Sequence, residues 1–196
     1  IGCFIADSFI VNTPSQMTVT ESHSDFNGFG VSCNNVNDGF IDITVNGSQP
    51  PYTYLWSNGA ITEDISNIFA GIYDVIITDA NNCVANDTIV ITEPQGMQIN
   101  LIVSNVLCYS DSTGSASVNV NGGTQPYIED WNGQNPNSLY AGNYNVMIID
   151  QNGCMSDTVM YTISQPQELQ SVLYIIDVTC NGGNDGSVSI TNLGGI

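Results

Sequence analysis

The strongest constraint on this chain is that it repeats itself. Aligned on Cys33, Cys108 and Cys180, the sequence recurs with a period of 75 residues and then 72. Six residues after each cysteine stands a glycine, Gly39, Gly114 or Gly186, and another follows at Gly47, Gly122 or Gly194. Pro51-Tyr52 matches Pro126-Tyr127, Trp56 matches Trp131, and Ala70-Gly71-Ile72-Tyr73 matches Ala141-Gly142-Asn143-Tyr144. Asp79-Ala80-Asn81-Asn82-Cys83 matches Asp150-Gln151-Asn152-Gly153-Cys154. A repeated unit of this length must bury its own core and meet its neighbours through short connections.

Two units are complete, at 16–94 and 97–166. Residues 1–14 repeat the Cys83, Asp87, Pro94 spacing as Cys3, Asp7 and Pro14, and read as the last strand of a preceding repeat. Residues 172–196 read as the start of a following one, so the chain is expected to be a piece of a longer secreted protein. The first unit carries an extra stretch, Glu21 to Gly30, and the second is shorter between Trp131 and Ala141.

Within each unit apolar residues recur every second position, the signature of a half-buried strand. Ile41, Ile43 and Val45 alternate with Asp42 and Thr44, and Ala116, Val118 and Val120 do the same. Tyr73, Val75 and Ile77 share a face, as do Tyr144, Val146 and Ile148. Asn37-Asp38-Gly39, Ser57-Asn58-Gly59, Asn121-Gly122-Gly123 and Asn152-Gly153 mark turns between the runs. The expected fold is all-β: tandem β-sandwich repeats with no helix, each Trp in a core.

Charge removes several function classes. The chain has 19 acidic residues, no Lys, no Arg, and His23 as its one titratable cation. It therefore has nothing with which to neutralise phosphates or anionic lipid, which argues against nucleic-acid partners and membrane-surface binding. No P-loop, Schiff base or Lys–Asn cross-link can be built. No apolar run reaches the length of a membrane span, so no membrane insertion is expected. Six regularly spaced cysteines favour an oxidising, extracellular compartment.

Catalytic patterns are absent at this level, and the chain reads as a non-enzyme. His23 lies in the inserted stretch of one unit and has no counterpart in the other. The acidic pairs Glu63-Asp64 and Glu129-Asp130 occupy non-equivalent positions, as solvated loop charges do. The cysteines lack zinc spacing. No cofactor is expected apart from calcium, whose candidate oxygen ligands are Asp38, Asp79, Asp111, Asp150 and Asp185 in Asn/Gly-rich turns. No stretch matches the calcium-loop pattern, and Asp in tight turns ordinarily serves the backbone.

The combined pattern Cys-x5-Gly, a β-run, Gly-x3-Pro-Tyr-x3-Trp, Ala-Gly-x-Tyr-x-Val and Asp-x-Asn-Gly-Cys resembles the SprB-type repeat of Bacteroidota cell-surface adhesins. The stretch from Gly142 to Gly153 is also similar to PKD-type immunoglobulin-like domains. Gly133-Gln134 in place of Asn58-Gly59, and Glu129-Asp130 in place of Tyr54-Leu55, depart from the pattern in one loop. The resemblance implies PKD-like, immunoglobulin-like sandwiches in an elongated rod: a stiff stalk or filament segment at the cell surface, exported by type IX secretion and related to gliding motility. Its partners would be neighbouring repeats of the same protein and, through other domains, surface polysaccharide. The alternative is a polysaccharide-binding module, which would need two or three of Tyr52, Tyr54, Trp56, Tyr73, Tyr127, Trp131 and Tyr144 coplanar on one exposed face. The resemblance further implies O-glycans at Thr88, Thr158 and Ser112, each preceded by Asp.

A PKD-like sandwich also bears on the disulfides. It puts Cys33 and Cys108 at the bottom of their domains and Cys83 and Cys154 at the top, about 20 Å away, whereas bridged Cα atoms lie within about 7 Å. That favours Cys33–Cys154 between stacked units. The within-unit pairs Cys33–Cys83 and Cys108–Cys154 remain open, as do Cys3–Cys33, Cys83–Cys108 and Cys154–Cys180 across linkers.

Overall fold

A computed structural model describes Ile10 and residues 13–195. Among the described residues there are strands and turns and no helix. The chain divides into two compact units, Ile1–Gly96 and Met97–Ile196.

The first unit is a β-sandwich of two three-stranded antiparallel sheets. One sheet has the order β1-β2-β4, from Thr18–His23, Gly39–Asn46 and Ile65–Ile68. The other has the order β3-β5-β6, from Thr53–Trp56, Gly71–Thr78 and Val84–Ile91. Alternation in β2 sends Ile41 and Ile43 inward and Asp42 and Thr44 outward. Ile41, Ile43, Trp56, Ile65, Val75, Ile77, Ile89 and Ile91 close the core between the sheets.

The second unit repeats this plan with shorter parts. β7 (Gln98–Ser104) pairs with β8 (Ser115–Asn121). β9 (Ile128–Asp130), β10 (Gly142–Ile149) and β11 (Val159–Ile163) form the second sheet, in the order β11-β10-β9. The shortened stretch after Trp131 leaves only the isolated bridge Gly114↔Leu139 where the first unit has β4. Gly114 is required there: a Cβ would meet the Leu139 carbonyl oxygen at 2.7 Å and Ile163 Cγ2 at 2.8 Å. Trp131, Leu139, Val146, Ile148, Tyr161 and Ile163 fill the core, with Tyr161 edge-on to Trp131 and stacked on Tyr144.

A hairpin of β12 (Gln167–Ile176) and β13 (Ser187–Gly195) follows, its register matching that of β7 and β8. It starts five residues before the expected start of the third repeat. Its aliphatic residues, among them Leu173, Val188 and Ile190, are exposed. The expected strand at 1–14 lies outside the described residues except for Ile10, Thr13 and Pro14.

One boundary of the sequence reading moves. The stretch 21–30 is not wholly an insertion, because Glu21, Ser22 and His23 complete β1 and pair with Ile43, Asp42 and Ile41. Only 24–30 forms an added loop, tied down by Ser24, which is buried and donates to the Gly30 carbonyl.

Candidate functional site

The recurring Asp of the Asp-x-Asn-x-Cys segment forms the most developed polar site in each unit. Asp150 follows β10 and is 3 % exposed. One carboxylate oxygen accepts the Asn152 and Cys154 amides, each at 2.9 Å, which closes the β10–β11 turn. The other accepts the Thr124 amide at 2.9 Å, which ties that turn to the β8–β9 loop. Asp79 does the same in the first unit. It accepts the Asn81 and Cys83 amides at 2.8 and 2.7 Å and, on its other oxygen, the Ser48 hydroxyl and the Gln49 amide. The Ser48 hydroxyl, more than the backbone donors, holds the Asp79 carboxyl below the ordinary Asp range. Each carboxylate is thus a clasp between two loops at one end of its sandwich.

The opposite end has a smaller version. Asp38 accepts the Ser32 amide, and Asp185 accepts the Thr179 amide and hydroxyl, both just before the aligned cysteine. That hydroxyl is the first cause holding Asp185 below its ordinary value. In the second unit Thr113 replaces the acid and its hydroxyl accepts the Leu107 amide. Asp111 accepts the neighbouring Ser112 amide. The five calcium candidates are therefore dispersed along the chain and turned toward protein donors. Among the described residues no three His, Cys, Asp or Glu side chains gather as metal ligands would.

Other candidate residues are spent on structure too. His23 pairs with Glu21 at 3.0 Å on the surface, beside a cleft that also contains Ser24. The Ser24 hydroxyl donates to Gly30 and accepts the Phe40 amide at 3.0 Å, so it is not aimed at the imidazole. Asp64 accepts the Ile43 amide; Glu129 accepts the Trp131 indole N–H; Asp130 accepts the Asn132 amide. Glu63 hydrogen-bonds Tyr54, whose phenol is pushed up to about 12 by burial first and by that carboxylate second.

The seven aromatic candidates pack on the cores, whereas Phe40, Phe69, Tyr109, Tyr140 and Tyr174 are exposed. Trp56 and Trp131 are buried and Tyr52, Tyr54, Tyr73, Tyr127 and Tyr144 are half-buried, all packed on their cores. Tyr52 and Tyr127 donate to the Gly47 and Gly122 carbonyls, and Tyr73 and Tyr144 to the Phe69 and Tyr140 carbonyls. The four hydroxyls pin loops at matched positions.

Cys33 and Cys154 are disulfide-bonded, whereas Cys83, Cys108 and Cys180 are exposed free thiols. The within-unit pairs Cys33–Cys83 and Cys108–Cys154 are therefore not formed, and each unit shows why. Gly30 and Val31 in the Cys33 loop donate to Thr92, just past the end of β6, and Asn34 reaches Pro94. Cys83 stands just before the start of β6. Eight strand residues, about 27 Å, separate the two ends. Cys108 and Cys154 flank β11 in the same way, with Val106 held to Ser164. The free Cys83, Cys108 and Cys180 likewise leave Cys83–Cys108 and Cys154–Cys180 unformed; Cys3, and with it Cys3–Cys33, lies outside the described residues.

Thr88 and Thr158 are exposed and Ser112 is half-buried. The Thr88 hydroxyl already donates to Asp74 at 2.7 Å. Two features escape the sequence reading. The clasps are one: their shared donor is a backbone amide, Gln49 or Thr124, two residues before each Pro-Tyr, and an amide leaves no side-chain signal in the sequence. An apolar outer face on the β3-β5-β6 sheet is the other; its signal is β5 itself, where Ile72 and Ile76 are apolar between the inward residues.

A family model described as the SprB repeat matches the chain at two places, residues 31–61 and 100–135. The first match spans the Cys33 loop and strands β2 and β3; the second spans most of β7, then β8, β9 and Trp131. No curated protein matches the chain.

Proposed function

We propose that this chain, which carries an SprB repeat in each of its two units, is a structural stretch of a large extracellular adhesin. It acts as a stiff spacer on the cell surface, in a protein exported by type IX secretion and used in gliding. The observation that carries this reading is where the matched residues go. Trp, Tyr, Asp and Gly recur at the same positions in both units, and in each unit they fill a core or fasten a loop. A repeat whose recurrent polar groups are all used internally is suited to reach and stiffness. SprB repeats are a structural family, which supports a spacer reading.

The proposal includes a Cys33–Cys154 bridge as a staple between successive repeats. It is supported by the bonded state of these two cysteines beside three free thiols. The Cys33 loop also lies at the Pro94 end, where the chain leaves the first unit. The Asp150–Cys154 turn lies at the Gly123–Met97 end, where it enters the second. It also includes O-glycans at Thr88, Thr158 and Ser112, of which the two threonines are exposed.

The spacer reading is tested on cells carrying alleles in which these repeats are deleted or replaced by an equal number of unrelated β-sandwich repeats. Surface attachment and gliding should fall on deletion and return on replacement. If replacement fails to restore them while purified chain binds surface polysaccharide, the repeats are recognition modules instead. Peptide mapping without reductant, using an acid-specific protease because trypsin finds no site here, reads the bridge and any added hexose.

A further inference from the structure

Three thiols are free although their counterparts in the same chain are bridged. Alignment of the repeats puts Cys108 and Cys180 in the column of Cys33, and Cys83 in the column of Cys154. Cys33 and Cys154 are disulfide-bonded, whereas Cys83, Cys108 and Cys180 are exposed and free. Equivalent cysteines differ in this way either because their surroundings differ or because each takes its partner from another repeat. The surroundings do not differ.

The loops of the Cys33 column are built alike. The Cys33, Cys108 and Cys180 carbonyls accept the Val36, Asp111 and Gly183 amides, and Asn35, Ser110 and Gly182 are left-handed, with φ of 58, 58 and 83°. Two of these loops are tied to the exit of their unit in the same way. Glu93 accepts the Asn35 amide at 2.7 Å and Gln165 accepts the Ser110 amide at 3.0 Å, each just before a proline, Pro94 or Pro166. The turns of the Cys154 column match as well, since Asp79 and Asp150 accept the Cys83 and Cys154 amides at 2.7 and 2.9 Å. So do the entries: Pro14, Pro94 and Pro166 each stand three residues before Met17, Met97 or Leu169. A Cβ on Gly47, or on its counterpart Gly194, would run into the Gln16 or Glu168 carbonyl oxygen. Equal spacers between like ends make each junction of a repeat array the same joint. Cys83 also lines an open groove of about 570 Å³ with Pro14, Ser15, Gln16, Met17 and Ser48. Pro14 to Met17 correspond to Pro94 to Met97, and Asn34, next to Cys33, donates to the Pro94 carbonyl at 3.3 Å.

We infer that Cys33–Cys154 is one link of a series, in which the loop cysteine of each repeat is bridged to the turn cysteine of the next. Cys108 is then the attachment point for the turn cysteine of the repeat that the β12–β13 hairpin opens. Cys83 is the attachment point for the loop cysteine of the repeat whose closing spacing, Cys3, Asp7 and Pro14, comes before the first unit. The inference deepens the spacer reading and rests on its Cys33–Cys154 staple. Each bridge forms when two thiols give up their protons and two electrons pass to the disulfide of an extracytoplasmic thiol–disulfide oxidase, which leaves as the dithiol. With 19 acids and no Lys or Arg, neighbouring repeats repel and have no Lys or Arg ion pairs to hold them. A covalent link at every joint keeps such repeats in line.

The test is a thiol and disulfide map of the native full-length protein, alkylated without reductant and cut with an acid-specific protease. Acids on both sides of Cys33, Cys83, Cys108 and Cys154 release the four in separate peptides. Cys108 should be linked to the Asp-x-Asn-x-Cys turn of the following repeat, and Cys83 to the Cys-x5-Gly loop of the preceding one. Cys108→Ser in the same protein should expose one new alkylatable thiol, in that turn and nowhere else; Cys83→Ser should expose one in that loop. The wild-type map decides by itself if a variant is not exported. Alkylated Cys83 or Cys108, a Cys83–Cys108 bridge, a small-thiol adduct, or a variant that exposes no new thiol overturns the series. If Cys33–Cys154 is intact in that map, the series alone falls; if it is missing too, the staple falls with it. The spacer reading is decided separately, by replacement of the repeats on cells.

Discussion

Replacing Asp150 by Ala removes one acceptor group and strands three donors. The Thr124 amide is buried and has no route to water, so its loss of a partner costs about 1–3 kcal/mol. The Asn152 and Cys154 amides are part-buried in the turn and hydrate more readily, at about 0.5–1.5 kcal/mol each. The expected total is about 3 kcal/mol, borne by the sheet whose turn is opened. Hydrogen exchange read by mass spectrometry after pepsin digestion resolves this by segment. Opening of β10 and β11 should accelerate by about 150-fold in Asp150→Ala, the factor that about 3 kcal/mol represents. Asp150→Asn keeps one carbonyl acceptor and should fall between. The β5–β6 turn, with Asp79 intact, is the internal reference. If β10 and β11 accelerate by less than about fivefold, water replaces the carboxylate at little cost and the clasp is not what fastens these loops.

Two further outcomes follow from single groups. The Tyr161 hydroxyl is buried without a hydrogen-bond partner, so Tyr161→Phe should stabilise the second unit by about 1 kcal/mol in urea unfolding; a loss of stability would show that the hydroxyl is satisfied in solution. Asp79 has a folded-state pKa lowered by Ser48 and the turn amides, so its contribution is present above the ordinary Asp value and is lost as pH falls through the lowered one. The urea midpoints of wild type and Asp79→Asn should therefore converge as pH drops below about 4, and a gap that stays constant down to pH 2 would disprove the linkage.

Much of the fold was legible because it is written in local periodicity. Alternation at Ile41, Ile43 and Val45 and at Tyr73, Val75 and Ile77 fixes which side of each strand is apolar, and Ile41, Ile43, Val75 and Ile77, with both Trp residues, lie buried where that predicts. The recurrence of Asp79 and Asp150 marked them as important without saying for what. Calcium and backbone capping use the same carboxylate in the same Asn/Gly-rich turn. Only the approach of Ser48 and Thr124, 31 and 26 residues earlier in the chain, shows the clasp.

The all-β class, the recurrence of the unit and the lack of Lys or Arg to serve phosphate or lipid are properties of the sequence by itself, since each follows from residue spacing or residue count. The position of His23 at the end of β1, the separation of Cys33 from Cys83 by the length of β6, and the gathering of Leu55, Ile72, Ile76, Val84 and Val90 on one face were decided by tertiary structure. Each depends on which strand lies beside which and in what register. That pairing joins residues tens of positions apart, and no local pattern of side chains encodes it.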